Sequence, residues 1–318
     1  MKSRYLVDPE LVPASGTFPS FDFHTDTLPA LRTQMQKRAI AALPADNPAV
    51  AVETIQVPAS KGSPDIRVVA YRPSGVEGPL PVLLHFHGGG YVVGSPERKG
   101  AAHRAQAVEL GCAIYSVDYR LAPETPFPGA VEDGYAVLRW LTDHSAELGL
   151  DRGRIGVIGE SAGGGLAASL ALLVRDRGEL SLALQHLISP MLDDRTTLKA
   201  DGNPYAGKFA WTRIDDTFGW SALLGPAVGR EDVSPYAAAA RAEDLNGLPA
   251  AFISVAVLDL LMEEQVEYAT RLIRAGVQTE LHVYPRAYHG SASIVPKARV
   301  SIAADRDSRE ALRRAFHG

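Results

Sequence analysis

Cysteine is almost absent. The 318 residues contain one, Cys112, so no disulfide can form within the chain. It lies in the apolar run 112–117 and is read as a small core residue. Long hydrophobic runs are missing too. Nothing approaches the roughly 18 consecutive apolar residues of a membrane-spanning helix, and the first ten residues lack the apolar stretch of a secretory leader. Nor does either sign of charge dominate. The 32 Lys and Arg are interspersed with 37 Asp and Glu for a net charge of −5, which argues against a nucleic-acid partner and against stable membrane association. The expectation is a soluble, cytoplasmic protein acting on a small molecule; a homodimer is left open.

What the chain has is an apolar content of 46 %, enough for a large core, arranged in a strand–helix alternation. Short apolar runs at 51–57, 66–72, 81–86, 112–117, 154–158, 183–188, 250–255 and 279–284 read as strands. Helical patterns at 99–110, 129–144, 162–176, 263–275 and 308–316 fall between or after them. Continuous apolar strands alternating with helices imply an eight-stranded, mostly parallel sheet covered on both faces. The first two strands, joined by a short Pro/Gly/Ser turn, are expected to pair antiparallel at one edge. Two stretches break the rhythm. Residues 1–48 are proline-rich with a partly amphipathic segment at 28–42. Residues 193–247 concentrate the aromatics Tyr205, Phe209, Trp211, Phe218, Trp220 and Tyr236. They are expected to form a helical cap on a catalytic domain of residues 49–318, since long insertions in compact domains are usually lids or binding elements. The aromatics themselves fit either a substrate wall or the mini-core of the cap.

Two glycine-rich motifs carry the chemistry. His87-Gly88-Gly89-Gly90 follows one strand, and Gly159-Glu160-Ser161-Ala162-Gly163 follows another and opens a small-residue helix. A G-x-S-x-G turn between strand and helix presents its serine as a nucleophile, and the glycine loop offers backbone N–H groups to a developing oxyanion. A glycine-rich start of an ordinary helix is the bland alternative, but a downstream Asp and His argue against it. A serine needs a base, and the base needs a third group to fix its tautomer. Of nine histidines, His289 alone follows a strand in a way that delivers it to the sheet's C-terminal edge, five residues after Tyr284. Asp259 follows the strand at 250–255, although Glu263 and Glu264 lie close enough to compete. The order Ser161, Asp259, His289 suits acyl transfer on this kind of sheet. The oxyanion donors are then the amides of Gly89, Gly90 and Ala162. Tyr91, Phe209 and Trp211 are candidate substrate contacts, with the segment around residues 18–23 as the fallback wall. No metal and no cofactor is called for.

The chain resembles the bacterial hormone-sensitive-lipase-like esterases of the α/β-hydrolase fold. Besides the two motifs, Asp118-Tyr119-Arg120-Leu121-Ala122-Pro123-Glu124, Phe127-Pro128-Gly129-Ala130-Val131-Glu132-Asp133, Asp232-Val233-Ser234-Pro235 and Arg274-Ala275-Gly276-Val277 carry the likeness, over roughly residues 50–290. It implies an α/β-hydrolase fold, serine carboxylester hydrolysis of short acyl chains without a cofactor, and a segment at 118–123 packed beneath the oxyanion loop. Glu160 stands where such proteins often have Asp, Ala256 and Val257 where Gly or Glu is common, Arg286 where Gly is usual, and Ser291 where an aromatic follows His-Gly. A cation at Arg286 would lower the proton affinity of the base. Amide or thioester cleavage, a lyase, or a non-catalytic ligand receptor on the same fold are the rival readings; the intact serine, histidine and glycine loop weigh against the last two.

Overall fold

Eight strands form one sheet in the order β1-β2-β4-β3-β5-β6-β7-β8 in a computed structural model that describes residues 3–16, 23–59 and 62–318. They are β1 (Val50–Val57), β2 (Ile66–Pro73), β3 (Leu80–Phe86), β4 (Ala113–Val117), β5 (Leu150–Glu160), β6 (Leu184–Ile188), β7 (Ala250–Ala256) and β8 (Thr279–Tyr284). The pairs β1–β2 and β2–β4 are antiparallel, and every other pair is parallel. The mostly parallel sheet and its antiparallel edge are those expected from the sequence. Alternate residues feed two cores, as the two-residue strand period requires. Val82, Leu84 and Phe86 of β3 face one side, with Leu83 on the other.

The helices are α1 (Leu28–Ala41), α2 (Gly100–Leu110), α3 (Gly129–Asp143), α4 (Ala162–Arg177), α5 (Arg213–Leu224), α6 (Met262–Arg274), the single turn α7 (Ser291–Ile294) and α8 (Arg299–His317). α3, α4 and α6 pack in the larger core, while Ala107 and Leu110 of α2 and Leu312 and Phe316 of α8 pack in the smaller. Every residue of α4 from Ala162 to Val174 is buried. Its small residues let it lie close to the sheet: a Cβ on Gly163 would stand 2.1 Å from the Phe86 carbonyl oxygen.

Most boundaries fall within one residue of the sequence reading, and those of β5 and α8 move further. Residues 96–99 form a 3-10 turn, so α2 starts at Gly100. β5 begins at Leu150 because its exposed, charged entry still pairs Leu150 with Leu80 before a register shift. α8 spans 19 residues, although only Ser301, Ala311, Leu312 and Phe316 are buried. An Asp305–Arg309 ion pair sits on its charged face, and the low overall apolar content of the helix hides its first half.

Candidate active site

The strand-to-helix turn after β5 holds Ser161 at φ +56° and ψ −122°, a conformation that is strained for any side-chain-bearing residue. Backbone bonds on both sides secure it. Ser161 N–H donates to the Ile188 carbonyl at 2.9 Å, and the Ser161 carbonyl accepts from Met191 at 2.9 Å and Gly165 at 3.0 Å. The loop after β3 lies directly against this turn, since a Cβ on Gly88 would be 3.3 Å from Ser161 Cβ. Gly89, at φ +137°, turns the chain so tightly that a Cβ would fall 2.0 Å from the Val93 carbonyl oxygen. Among the described residues, no protein group accepts from the amides of Gly89, Gly90 or Ala162. Ala162 is also the first residue of α4, where the helix dipole favours negative charge.

His87 shapes this loop. It stacks on Tyr119 at a centroid distance of 4.3 Å, and the Tyr119 hydroxyl donates to the His87 carbonyl at 2.7 Å. Burial pushes its pKa down to about 3, so the ring is neutral. Segment 118–123 thus packs against the glycine loop, and Ala122 N–H bonds the Tyr91 carbonyl at 3.0 Å.

Beyond the ends of β7 and β8 the backbone pairing continues. Val257 N–H donates to Tyr284 O at 3.1 Å and Leu258 N–H to Ala287 O at 2.9 Å, which sets Asp259 opposite His289. His289 Nδ1 lies 2.7 Å from Asp259 Oδ2, and His289 Nε2 lies 3.0 Å from Ser161 Oγ. With Nδ1–H donating a hydrogen bond to the carboxylate, Nε2 is left as the acceptor for the serine hydroxyl, the tautomer a general base needs. Asp259 is fully buried, and its Oδ1 accepts from Leu261 N–H at 3.0 Å. The competing carboxylates point elsewhere. Glu264 accepts from the Leu192 amide at 2.6 Å, and Glu263 lines a separate cavity of about 120 Å³ with Lys199 and Arg213.

Of the candidate substrate contacts, Trp211 reaches His289: the two rings lie 6.0 Å apart. Tyr91 is buried against Trp220 at 5.5 Å, and Phe209 packs on Tyr288 at 5.6 Å in a cluster with Val7 and Leu11. Of the fallback segment, residues 18–22 lie outside the described residues, whereas Phe23 packs at 6.3 Å from Trp211 and 5.5 Å from Phe218. Arg286 does not reach toward His289 but bonds the Val7 carbonyl at 3.1 Å.

Two features escaped the sequence reading. Glu160, next to Ser161, is held 3.2 Å from His85 Nε2 and 3.4 Å from Lys99 Nζ. Burial would raise its pKa, but Lys99 and the His85 ring hold it well below the ordinary carboxylate value. The second is Asp216, buried on α5 and bonded by the Trp211 indole. The signal was present: Thr212 and Asp215 form a capping box, and Asp216, Gly219, Trp220 and Leu223 then fall on one helical face. Among the described residues no cluster of three or more His, Cys, Asp or Glu is placed to hold a metal, and no helix is long and apolar enough to cross a membrane.

A family model described as alpha/beta hydrolase fold matches residues 83–293. Carboxylesterase NlhH of Mycobacterium tuberculosis is 35 % identical over 316 residues, 99 % of this chain and 98 % of that protein. A solved bacterial heroin esterase superposes with a TM-score of 0.91 at 39 % identity, covering 99 % of each chain. Esterase LipW from Mycobacterium marinum gives 0.87 at 32 %, covering 100 % of this chain and 98 % of that one. The chain therefore belongs to the α/β-hydrolase family and, within it, to the hormone-sensitive-lipase-like carboxylesterases.

Proposed function

We propose that this protein hydrolyses short-acyl carboxylic esters through an acyl-enzyme formed on Ser161. The observation that carries the reading is the continuous Ser161–His289–Asp259 relay, at 3.0 and 2.7 Å, beside the glycine loop. Ser161 attacks the carbonyl carbon as His289 takes its proton, and Asp259 stabilises the imidazolium. The oxyanion is held by the amides of Gly89, Gly90 and Ala162, each donor lowering the barrier by about 3 kcal/mol. His289 then protonates the leaving alcohol, and water releases the acid by the reverse steps.

Residues 1–48 and 193–247 act as a cap over this centre, with Trp211 as the part that bounds the substrate. A bounded pocket gains about 0.8 kcal/mol per buried methylene until it is full, then loses by steric clash. Activity on p-nitrophenyl esters should therefore peak at a short chain, about two to six acyl carbons by the resemblance to the hormone-sensitive-lipase-like esterases. The test is that ester series run beside matching anilides and thioesters, with fluorophosphonate labelling of wild type and Ser161→Ala. Hydrolysis confined to anilides, label on another residue, or preference for long-chain emulsions would reject the reading.

A further inference from the structure

Asp216 has no part in the relay, yet it is fully buried. Its Oδ1 accepts the Trp211 indole N–H at 2.9 Å, while Oδ2 has no hydrogen-bond partner among the described residues. An incompletely paired buried carboxyl costs stability that an apolar side chain of similar volume would not. Nothing in the packing of α5 demands it, because Asp215 already completes the cap.

The chain makes a second costly choice next to it. Ala210 has φ +60°, and Trp211 N–H bonds Phe209 O at 2.7 Å, closing a three-residue turn in the left-handed region. Strain at one end and a buried carboxyl at the other converge on one side chain. The Trp211 ring is thereby pressed against the oxyanion loop, where a Cβ on Gly90 would lie 2.4 Å from its Cη2. On the same inner face of α5, a Cβ on Gly219 would stand 2.7 Å from the Gly90 carbonyl oxygen. With His289 on another side at 6.0 Å and Phe23 at 6.3 Å, the indole has little room except where its N–H is tied.

We propose that Asp216 is a positioning residue that holds the Trp211 indole as the wall setting how long an ester branch the pocket accepts. This rests on the esterase reading above and adds the element that fixes its substrate range. The acceptor oxygen is what matters: without it, the indole N–H would be buried unpaired and the ring would turn to find another partner. Burial, reinforced by the charge of Asp259 and opposed by the indole bond, pushes the Asp216 pKa up to about 7, so a neutral side chain is compatible with the role. The His289 ring and the Arg213 guanidinium are the other titratable or charged groups that act on it, and Glu264 and Tyr91 feel its charge in turn.

The test compares Asp216→Asn, which keeps an acceptor, with Asp216→Leu and Asp216→Ala, which do not. Two series are run, p-nitrophenyl esters of increasing acyl length and acetates of increasing alcohol length. In one series the kcat/KM ratio of shortest to longest ester should fall at least tenfold in the Leu and Ala variants and less than threefold in Asp216→Asn. An independent readout is the 15N indole signal of Trp211, identified by its loss in Trp211→Phe. Its N–H should exchange at least tenfold faster in the Leu and Ala variants only. Folded variants, labelled at Ser161 like wild type, that keep both ratios within twofold would overturn the proposal. So would equal loss in Asp216→Asn, which would assign the effect to charge. A wild type inert in both series would defeat the esterase reading instead, and the indole exchange would still decide whether Asp216 holds Trp211.

Discussion

Arg286 and Val7, at opposite ends of the sequence, are joined by a hydrogen bond of 3.1 Å from the guanidinium Nη2 to the carbonyl oxygen. Asp8 N–H returns a bond to Arg286 O at 2.9 Å, and Glu10 pairs with Arg299 at 2.6 Å. The segment at 3–16 is thus strapped across the loop that carries His289. Arg286 has φ +64°, in the left-handed region that favours glycine.

Replacing Arg286 with glycine sets two small effects against each other. The left-handed backbone strain of about 1 kcal/mol is relieved, and a part-buried hydrogen bond of about the same worth is lost. Because the guanidinium is turned to Val7, the base should barely notice. Urea unfolding of Arg286→Gly is expected within about 1 kcal/mol of wild type, with kcat lowered less than about threefold. A shift in the acidic limb of the kcat/KM profile would show that the cation does act on His289.

Asp259→Asn should lower kcat by about four orders of magnitude, because an amide donating to Nδ1 leaves the wrong ring nitrogen protonated. Glu264→Gln should behave differently. Glu264 secures the Leu192 amide at 2.6 Å, so its loss falls on thermal stability, with kcat within about tenfold of wild type. Steady-state kinetics and melting of the two variants separate the roles. The reverse pattern would move the acid to Glu264.

Gly89→Ala tests the loop. At φ +137° and with a Cβ 2.0 Å from the Val93 carbonyl oxygen, alanine fits only if the loop moves. The expected result is a loss of about 100- to 1,000-fold in kcat, the worth of one oxyanion donor, with far-ultraviolet circular dichroism unchanged. Wild-type turnover would mean that the oxyanion is held elsewhere.

The sheet, its antiparallel edge and the relay were legible because each rests on local chemistry. Apolar runs mark strands, the Gly159-Glu160-Ser161-Ala162-Gly163 turn permits one backbone path, and loops after parallel strands must meet at one edge. Long-range choices were not legible. Nothing local distinguishes Trp211, beside His289, from Phe209, two residues away and packed on Tyr288. That difference is made by the left-handed turn at Ala210. Likewise, α8 is held by charged pairs and few buried apolar residues, so its first half offers little apolar content to read. Glu160 read as a tolerable replacement for Asp because its partners, His85 and Lys99, come from other elements.

Buried titratable groups give the stability a pH dependence whose parts have opposite sign. Burial pushes His87 and His186 down to about 3. Below pH 6.5 the unfolded chain takes up a proton at each that the folded chain refuses. Stability is therefore lost as pH falls, by about 1.4 kcal/mol per unit for each histidine. Asp216, raised by burial from 3.8 to about 7, works the other way. Between those values the folded form keeps a proton that the unfolded form has shed, so stability is gained as pH falls through 7. Asp216→Asn removes that compensation. Urea unfolding at pH 4.5, 5.5, 6.5 and 8 should show the variant more stable than wild type at pH 8. Its advantage should shrink by about 1.4 kcal/mol per unit on acidification below pH 7. A free-energy difference that stays constant across the series would mean that Asp216 titrates as an ordinary carboxylate.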